Sequence, residues 1–138
     1  MRCPSAEPSV AEEGRSTQPA RSILIVDDEP AVRALIARLL RDAGHDVIEA
    51  SGGEEALSAV ADRTSLDMLV TDVLMRGMSG RELADRLRAE RPGLRVLFMS
   101  GYPPKQVGID PASSGDGFLE KPFAPAELHA MVERILGA

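Results

Sequence analysis

The stretch Ser22-Ile23-Leu24-Ile25-Val26-Asp27-Asp28-Glu29-Pro30 (residues 22–30) joins an unbroken apolar run to three acids and a proline. Four consecutive apolar residues, Ile23 to Val26, suit a parallel strand buried on both faces, because such a strand has no solvent side to alternate toward. Pro30 suits the first turn of a helix, where its missing N–H satisfies nothing anyway. Val32, Leu35, Ile36, Leu39 and Leu40 follow at helical spacing and predict an inward face, and Gly44 stops the helix.

The same strand-then-helix unit recurs downstream. His45 to Ala50 reads as a second strand. Glu54 to about Asp62 reads as a helix with Leu57 and Val60 inward. Met68 to Thr71 is a third strand ending at Asp72, and a helix follows from about Ser79 to Glu90, broken by Pro92-Gly93. Leu94 to Met99 is a fourth strand ending at Ser100. Phe118-Leu119 is a brief fifth strand before Glu120 and Lys121, and Leu128, Met131, Val132, Ile135 and Leu136 mark a last helix. Between Gly101 and Gly115 lie three prolines and three glycines, so the helix due there is short or irregular. Strands alternating with helices predict an α/β fold, a five-stranded parallel sheet covered on both faces. Such sheets bind ligands outside the carboxyl ends of their strands, where the strand order reverses.

The chain has 138 residues, enough for one domain and a short extension. Hydrophobic residues make up 43% and aromatics only 3%, so the core must be aliphatic. A net charge of −6 with no basic block argues against direct contact with nucleic acid. Residues 1–20 are rich in Pro, Ser, Glu and Ala without apolar period and read as a disordered tail or linker. Residues 21–138 form the domain. The sole cysteine, Cys3, permits no intrachain disulfide. Apolar runs stay far short of the roughly 20 residues that span a bilayer. No signal-peptide pattern is present. The expectation is a cytoplasmic segment without membrane contact.

The chemistry falls at the strand ends. The first strand delivers Asp27 and Asp28, the third Asp72, the fourth Ser100 and the fifth Lys121. Each has an ordinary alternative: a helix cap for Asp28, a strand-end polar group for Asp27, a loop cap for Asp72, a turn serine for Ser100, a solvated lysine for Lys121. All five at strand ends together point to one site. Crowded carboxylates repel, and a hard divalent cation such as Mg²⁺ offsets that repulsion with oxygen ligands. An ionised Asp72 could attack phosphorus and form an aspartyl phosphate, with Ser100 and Lys121 neutralising charge on the transferred group.

These pieces, together with Met78-Ser79-Gly80, Ser100-Gly101 and Lys121-Pro122-Phe123, make the chain from about Arg21 to Ala138 resemble the receiver domain of two-component response regulators. The segment Phe98-Met99-Ser100-Gly101-Tyr102 and the run Phe118 to Phe123 are most similar to receivers attached to hybrid sensor histidine kinases. The resemblance implies a flavodoxin-like, doubly wound sheet in the order 2-1-3-4-5. It implies phosphorylation of Asp72 by a sensor histidine kinase or histidine phosphotransfer protein. It further implies Mg²⁺ on Asp27, Asp28, Asp72 and the Leu74 carbonyl, Lys121 on the phosphoryl group, and Ser100 with Phe118 as the switch pair. Such a domain is no conventional enzyme; it promotes its own phosphorylation and dephosphorylation, or serves within a hybrid kinase. Arg76 stands where the family usually has proline.

The leading alternative is a non-phosphorylated pseudo-receiver acting as an interaction module; those usually lose an acid or the lysine, and here all five remain. An aspartate-nucleophile phosphatase wants a second aspartate where Leu74 stands. No G-x-x-x-x-G-K-[ST] loop follows the first strand, which disfavours a nucleotide hydrolase. A flavodoxin-like electron carrier would need a phosphate-cradling loop where Asp27-Asp28-Glu29 would repel phosphate.

Overall fold

The computed structural model of the chain describes residues 21–110 and 116–137. The expected tail, residues 1–20, lies outside the described residues, as do residues 111–115 of the Pro- and Gly-rich stretch. Five parallel strands form one sheet: β1 (Ser22–Val26), β2 (Asp46–Ala50), β3 (Met68–Asp72), β4 (Arg95–Ser100) and β5 (Gly117–Glu120), in the order β2-β1-β3-β4-β5. Four helices accompany them: α1 (Pro30–Asp42), α2 (Gly53–Val60), α3 (Gly80–Glu90) and α4 (Pro125–Gly137).

The apolar runs of the inner strands serve two cores at once. Successive side chains leave a strand on opposite faces. Ile23, Ile25, Met68, Val70, Leu97 and Met99 pack on one face with Ile36 and Leu40 of α1 and Leu128, Val132 and Leu136 of α4. Leu24, Val26, Leu69, Val96 and Phe98 pack on the other with Ala56 and Val60 of α2 and Leu83 and Leu87 of α3. The doubly wound sheet expected from the sequence is therefore present, in the expected order.

Where a helix would join β4 to β5, the described residues make a 3₁₀ turn, Pro104–Val107, closed by Gly108 at φ 76°. Pro103 and Pro104 remove two backbone donors, and Gly108 takes a left-handed conformation that favours glycine. Val107 and Ile109 still cover the α2/α3 side of the sheet.

Two details differ from the sequence expectation. Helix α2 ends at Val60 rather than near Asp62. Leu35, expected inward, is 53% exposed. The buried stripe of α1 runs through Ile36, Ala37 and Leu40, with Val32 and Leu39 on its margins. Ala37 lets the helix approach the sheet closely, and Leu35 falls beyond the edge of that stripe. No described helix is long and apolar enough to cross a membrane.

The two leucines give a direct comparison. Leu83→Ala removes a fully buried side chain and should lower stability by about 2–5 kcal/mol. Leu35→Ala should change it by less than about 0.5 kcal/mol. Urea denaturation monitored by circular dichroism measures both.

Candidate functional site

Strand register brings the sequence-predicted residues together. Val26 aligns with Thr71, so Asp27 and Asp72 leave β1 and β3 at the same level. Asp72 aligns with Met99 and Ser100 with Glu120, which sets Ser100 and Lys121 just beyond. Carboxylate oxygens of Asp27, Asp28 and Asp72 all lie within 4.8 Å of one another.

Asp27 is fully buried and held at every polar atom. Its N–H donates to the Ala50 carbonyl at 3.3 Å. Its carbonyl accepts from Arg33 Nη1 at 2.8 Å, Oδ1 accepts from the Glu29 N–H at 2.9 Å, and Oδ2 accepts from Lys121 Nζ at 2.9 Å. Asp28 is exposed at the rim. The Asp72 Oδ2 atom accepts from the same ammonium at 3.1 Å.

Lys121 thus bridges two carboxylates from strands that are neighbours in the sheet. Its position is fixed from behind, because its N–H donates to the Ser100 carbonyl at 2.7 Å. The peptide to Pro122 is cis. Burial acts to lower the Lys121 pKa, but the hydrogen bond to Asp27 and the charges of Asp72 and Asp27 outweigh it, and the net shift is upward. Asp72 is also shifted upward. Partial burial is the main cause, Lys121 opposes it, and the Asp27 and Asp28 charges reinforce it.

Ser100 is buried, and its Oγ accepts the Tyr102 N–H at 3.0 Å. A hydroxyl that accepts in this way still has its own O–H to donate. Phe118 is half-buried, aligned with Phe98 across β4 and β5, and packs on the α2/α3 core. Leu74 lies two residues past Asp72 with a 51% exposed side chain.

Three residues have supporting roles that the sequence reading did not assign. Gly80 passes so close to β3 that a Cβ there would stand 2.2 Å from the Asp72 carbonyl oxygen. Its N–H also donates to the Val73 carbonyl at 2.8 Å. The glycine of Met78-Ser79-Gly80 is required by that approach, while Ser79 caps α3 by accepting the Glu82 N–H at 3.1 Å. Thr71, fully buried, donates through Oγ1 to the Asp72 carbonyl at 3.0 Å; a hydroxyl within an apolar run was its signal. Nothing in its spacing marks Arg33, yet its side chain on α1 is only 19% exposed.

The upward shift of Asp72 carries a sign for stability. Its carboxyl releases a proton more readily in the unfolded chain than in the folded one. Ionisation therefore opposes folding increasingly as pH rises through the unfolded and then the folded pKa. In metal-free buffer, Asp72→Asn should raise the urea midpoint at pH 7. The gain should shrink toward zero as pH falls to the range where the wild-type carboxyl is protonated.

Residues 23–133 match the model of the response regulator receiver domain family. The sensor kinase CckA of Brucella abortus is 34% identical over 134 residues, covering 96% of this chain and 14% of that protein. The crystal structure of the receiver domain from hybrid histidine kinase CckA superposes with a TM-score of 0.71 at 37% identity, covering 83% of this chain and 98% of that one. The response regulator TrrA of Thermotoga maritima, solved in complex with Mg²⁺-BeF, gives a TM-score of 0.72 at 29% identity over 84% of this chain and 99% of that one. The chain spans about half or less of the length of the curated relatives it matches. It belongs to the response regulator receiver domains of two-component systems, and its likeness includes the receivers of hybrid histidine kinases.

Proposed function

We propose that this domain accepts a phosphoryl group on Asp72 from a phosphohistidine. The donor would be a sensor histidine kinase or a histidine phosphotransfer protein, and Mg²⁺ would be the cofactor. One observation carries the proposal: three carboxylates converge within 4.8 Å beside an ammonium that touches two of them. A purely structural role for such a cluster would leave its repulsion only partly compensated by Lys121.

The donor set fits Mg²⁺. It consists of oxygens, with Asp27 fixed by the fold and Asp28 open to solvent, and Mg²⁺ favours few carboxylates and retains several waters. Asp27, Asp28 and Asp72 would hold the ion together with the Leu74 backbone carbonyl. When bound, the ion supplies positive charge against the phosphoryl oxygens and keeps Asp72 ionised at neutral pH. The TrrA complex with Mg²⁺-BeF supports this assignment by kinship.

The Asp72 carboxylate attacks phosphorus in line with the departing histidine nitrogen; a P–O bond forms as the P–N bond breaks. Lys121 leaves its carboxylate partners to contact a phosphoryl oxygen. The Ser100 hydroxyl donates to another, moving toward Asp72. Phe118 then turns into the space beside β5. Among the described residues of that connection, the 3₁₀ turn Pro104–Val107 offers one short turn of helix to oppose that shift. The domain therefore promotes its own phosphorylation and dephosphorylation and passes the signal by protein contact or phosphorelay. Residues 21–138 would form this unit, and its setting would be the cytoplasm.

Intact-mass measurement after incubation with acetyl phosphate should show one added phosphoryl group with Mg²⁺ and none with EDTA. Asp72→Asn should remain unlabelled, whereas Ser100→Ala should take the label but lose the beryllofluoride-induced change in hydrogen exchange across residues 117–120. Equal labelling of Asp72→Asn would refute the acceptor assignment.

A further inference from the structure

We infer that Arg33 is a positioning residue for the acidic pair, holding the main chain at Asp27 and Asp28 in the geometry that receives a divalent cation. The inference rests on the Mg²⁺ assignment above and concerns how the fold aims the ligands.

Arg33 lies on the first turn of α1, and its N–H donates to the Glu29 carbonyl at 3.0 Å. A long cation there would normally extend into water. Instead the guanidinium folds back. Nη1 donates to the Asp27 carbonyl at 2.8 Å, while Nε faces Glu49 Oε1 of β2 at 3.5 Å. Glu49 is itself anchored: its other oxygen, Oε2, accepts from Arg41 Nη1 at 3.0 Å, and Arg41 Nη2 donates to the Val47 carbonyl at 3.1 Å. One planar fork therefore ties the end of β1 to an edge strand that contributes no ligand of its own. A planar fork reaches both partners at once; a lysine ammonium on its flexible stem does not.

The gripped carbonyl matters because it belongs to the peptide that links Asp27 to Asp28. Asp27 is buried and fixed through its own side chain. Asp28 is exposed, so the direction of its carboxylate depends on the main chain that carries it. Fixing that peptide aims Asp28 and supports the short turn in which the Glu29 N–H reaches Asp27 Oδ1. Groups that orient ligands from behind commonly govern metal affinity as strongly as some ligands do.

Charge and geometry predict opposite signs, which makes the inference decisive to test. Arg33 is a cation beside a cation site. If it acted only through space, its removal would tighten Mg²⁺ binding. If it acts by positioning, its removal weakens binding.

Isothermal titration of Mg²⁺ into the wild-type domain, Arg33→Met and Arg33→Lys at fixed ionic strength separates the two. Arg33→Met should bind about tenfold more weakly or worse, with the Glu29 amide resonance displaced in metal-free protein. Arg33→Lys, with unchanged charge, should also bind more weakly, by a smaller factor. Equal or tighter binding by Arg33→Met overturns the inference. If that variant does not fold, Arg33→Lys decides: weaker binding supports the positioning role and wild-type affinity overturns it. Absence of saturable Mg²⁺ binding by the wild-type domain would instead overturn the metal site itself, and this inference with it.

Discussion

The ammonium of Lys121, set between Asp27 and Asp72, is the contact on which the rest of the site depends. Two like charges at the separations of this cluster repel by about 3–4 kcal/mol at the effective dielectric of a protein surface. A domain of this size is stable by only about 5–15 kcal/mol in total. Three carboxylates at the ends of two adjacent strands are therefore a substantial burden, and the fold accommodates it with one partly buried cation. That cation comes from the far edge of the sheet. Lys121 follows β5, while Asp27 and Asp72 leave β1 and β3. Neutralising the acids thus couples the last strand to the first, and a phosphoryl group that draws Lys121 away would be felt at β5.

The surrounding structure fixes some parts of this centre and leaves others free. Asp27 is held at four atoms, Gly80 lets α3 begin against the Asp72 carbonyl, and Thr71 holds that carbonyl from within the strand. These features fix Asp72, the proposed acceptor, and Asp27, a proposed ligand. Ser100, Phe118 and the 3₁₀ turn face the other way. Ser100 retains a hydroxyl proton to donate, Phe118 is only half-buried, and the described residues between them supply a short 3₁₀ turn. Rigid ligands beside a lightly braced response element are what a switch requires, because a ligand shifts an equilibrium only through contacts that differ between its states.

Most of this was legible in the sequence, for physical reasons that can be named. Runs such as Ile23 to Val26 are apolar at every position because both faces of the inner strands are covered, and that made the parallel sheet readable. The site residues were readable because a polar side chain directly after such a run must lie at a strand end. What stayed hidden depends on approach distances and on where long side chains bend. Gly80 looked like part of a helix start, and only the 2.2 Å approach to the Asp72 carbonyl explains it. Nothing in the sequence marks Arg33 and Glu49, because spacing does not reveal that a guanidinium folds back onto a carbonyl. Leu35 fitted the helical period but fell outside the stripe that Ala37 draws toward the sheet.

If one set of repelling carboxylates is offset by Lys121 in the metal-free domain and by a divalent cation when one binds, the two cations stabilise the fold through the same repulsion. The stabilities of wild type and Lys121→Met, each measured by urea denaturation with and without Mg²⁺, form a closed cycle. Lys121→Met should be the less stable protein in EDTA, and Mg²⁺ should restore more stability to it than it adds to wild type, because the two cations offset the same repulsion. Equal stabilisation of both proteins by Mg²⁺, or none in either, would contradict it.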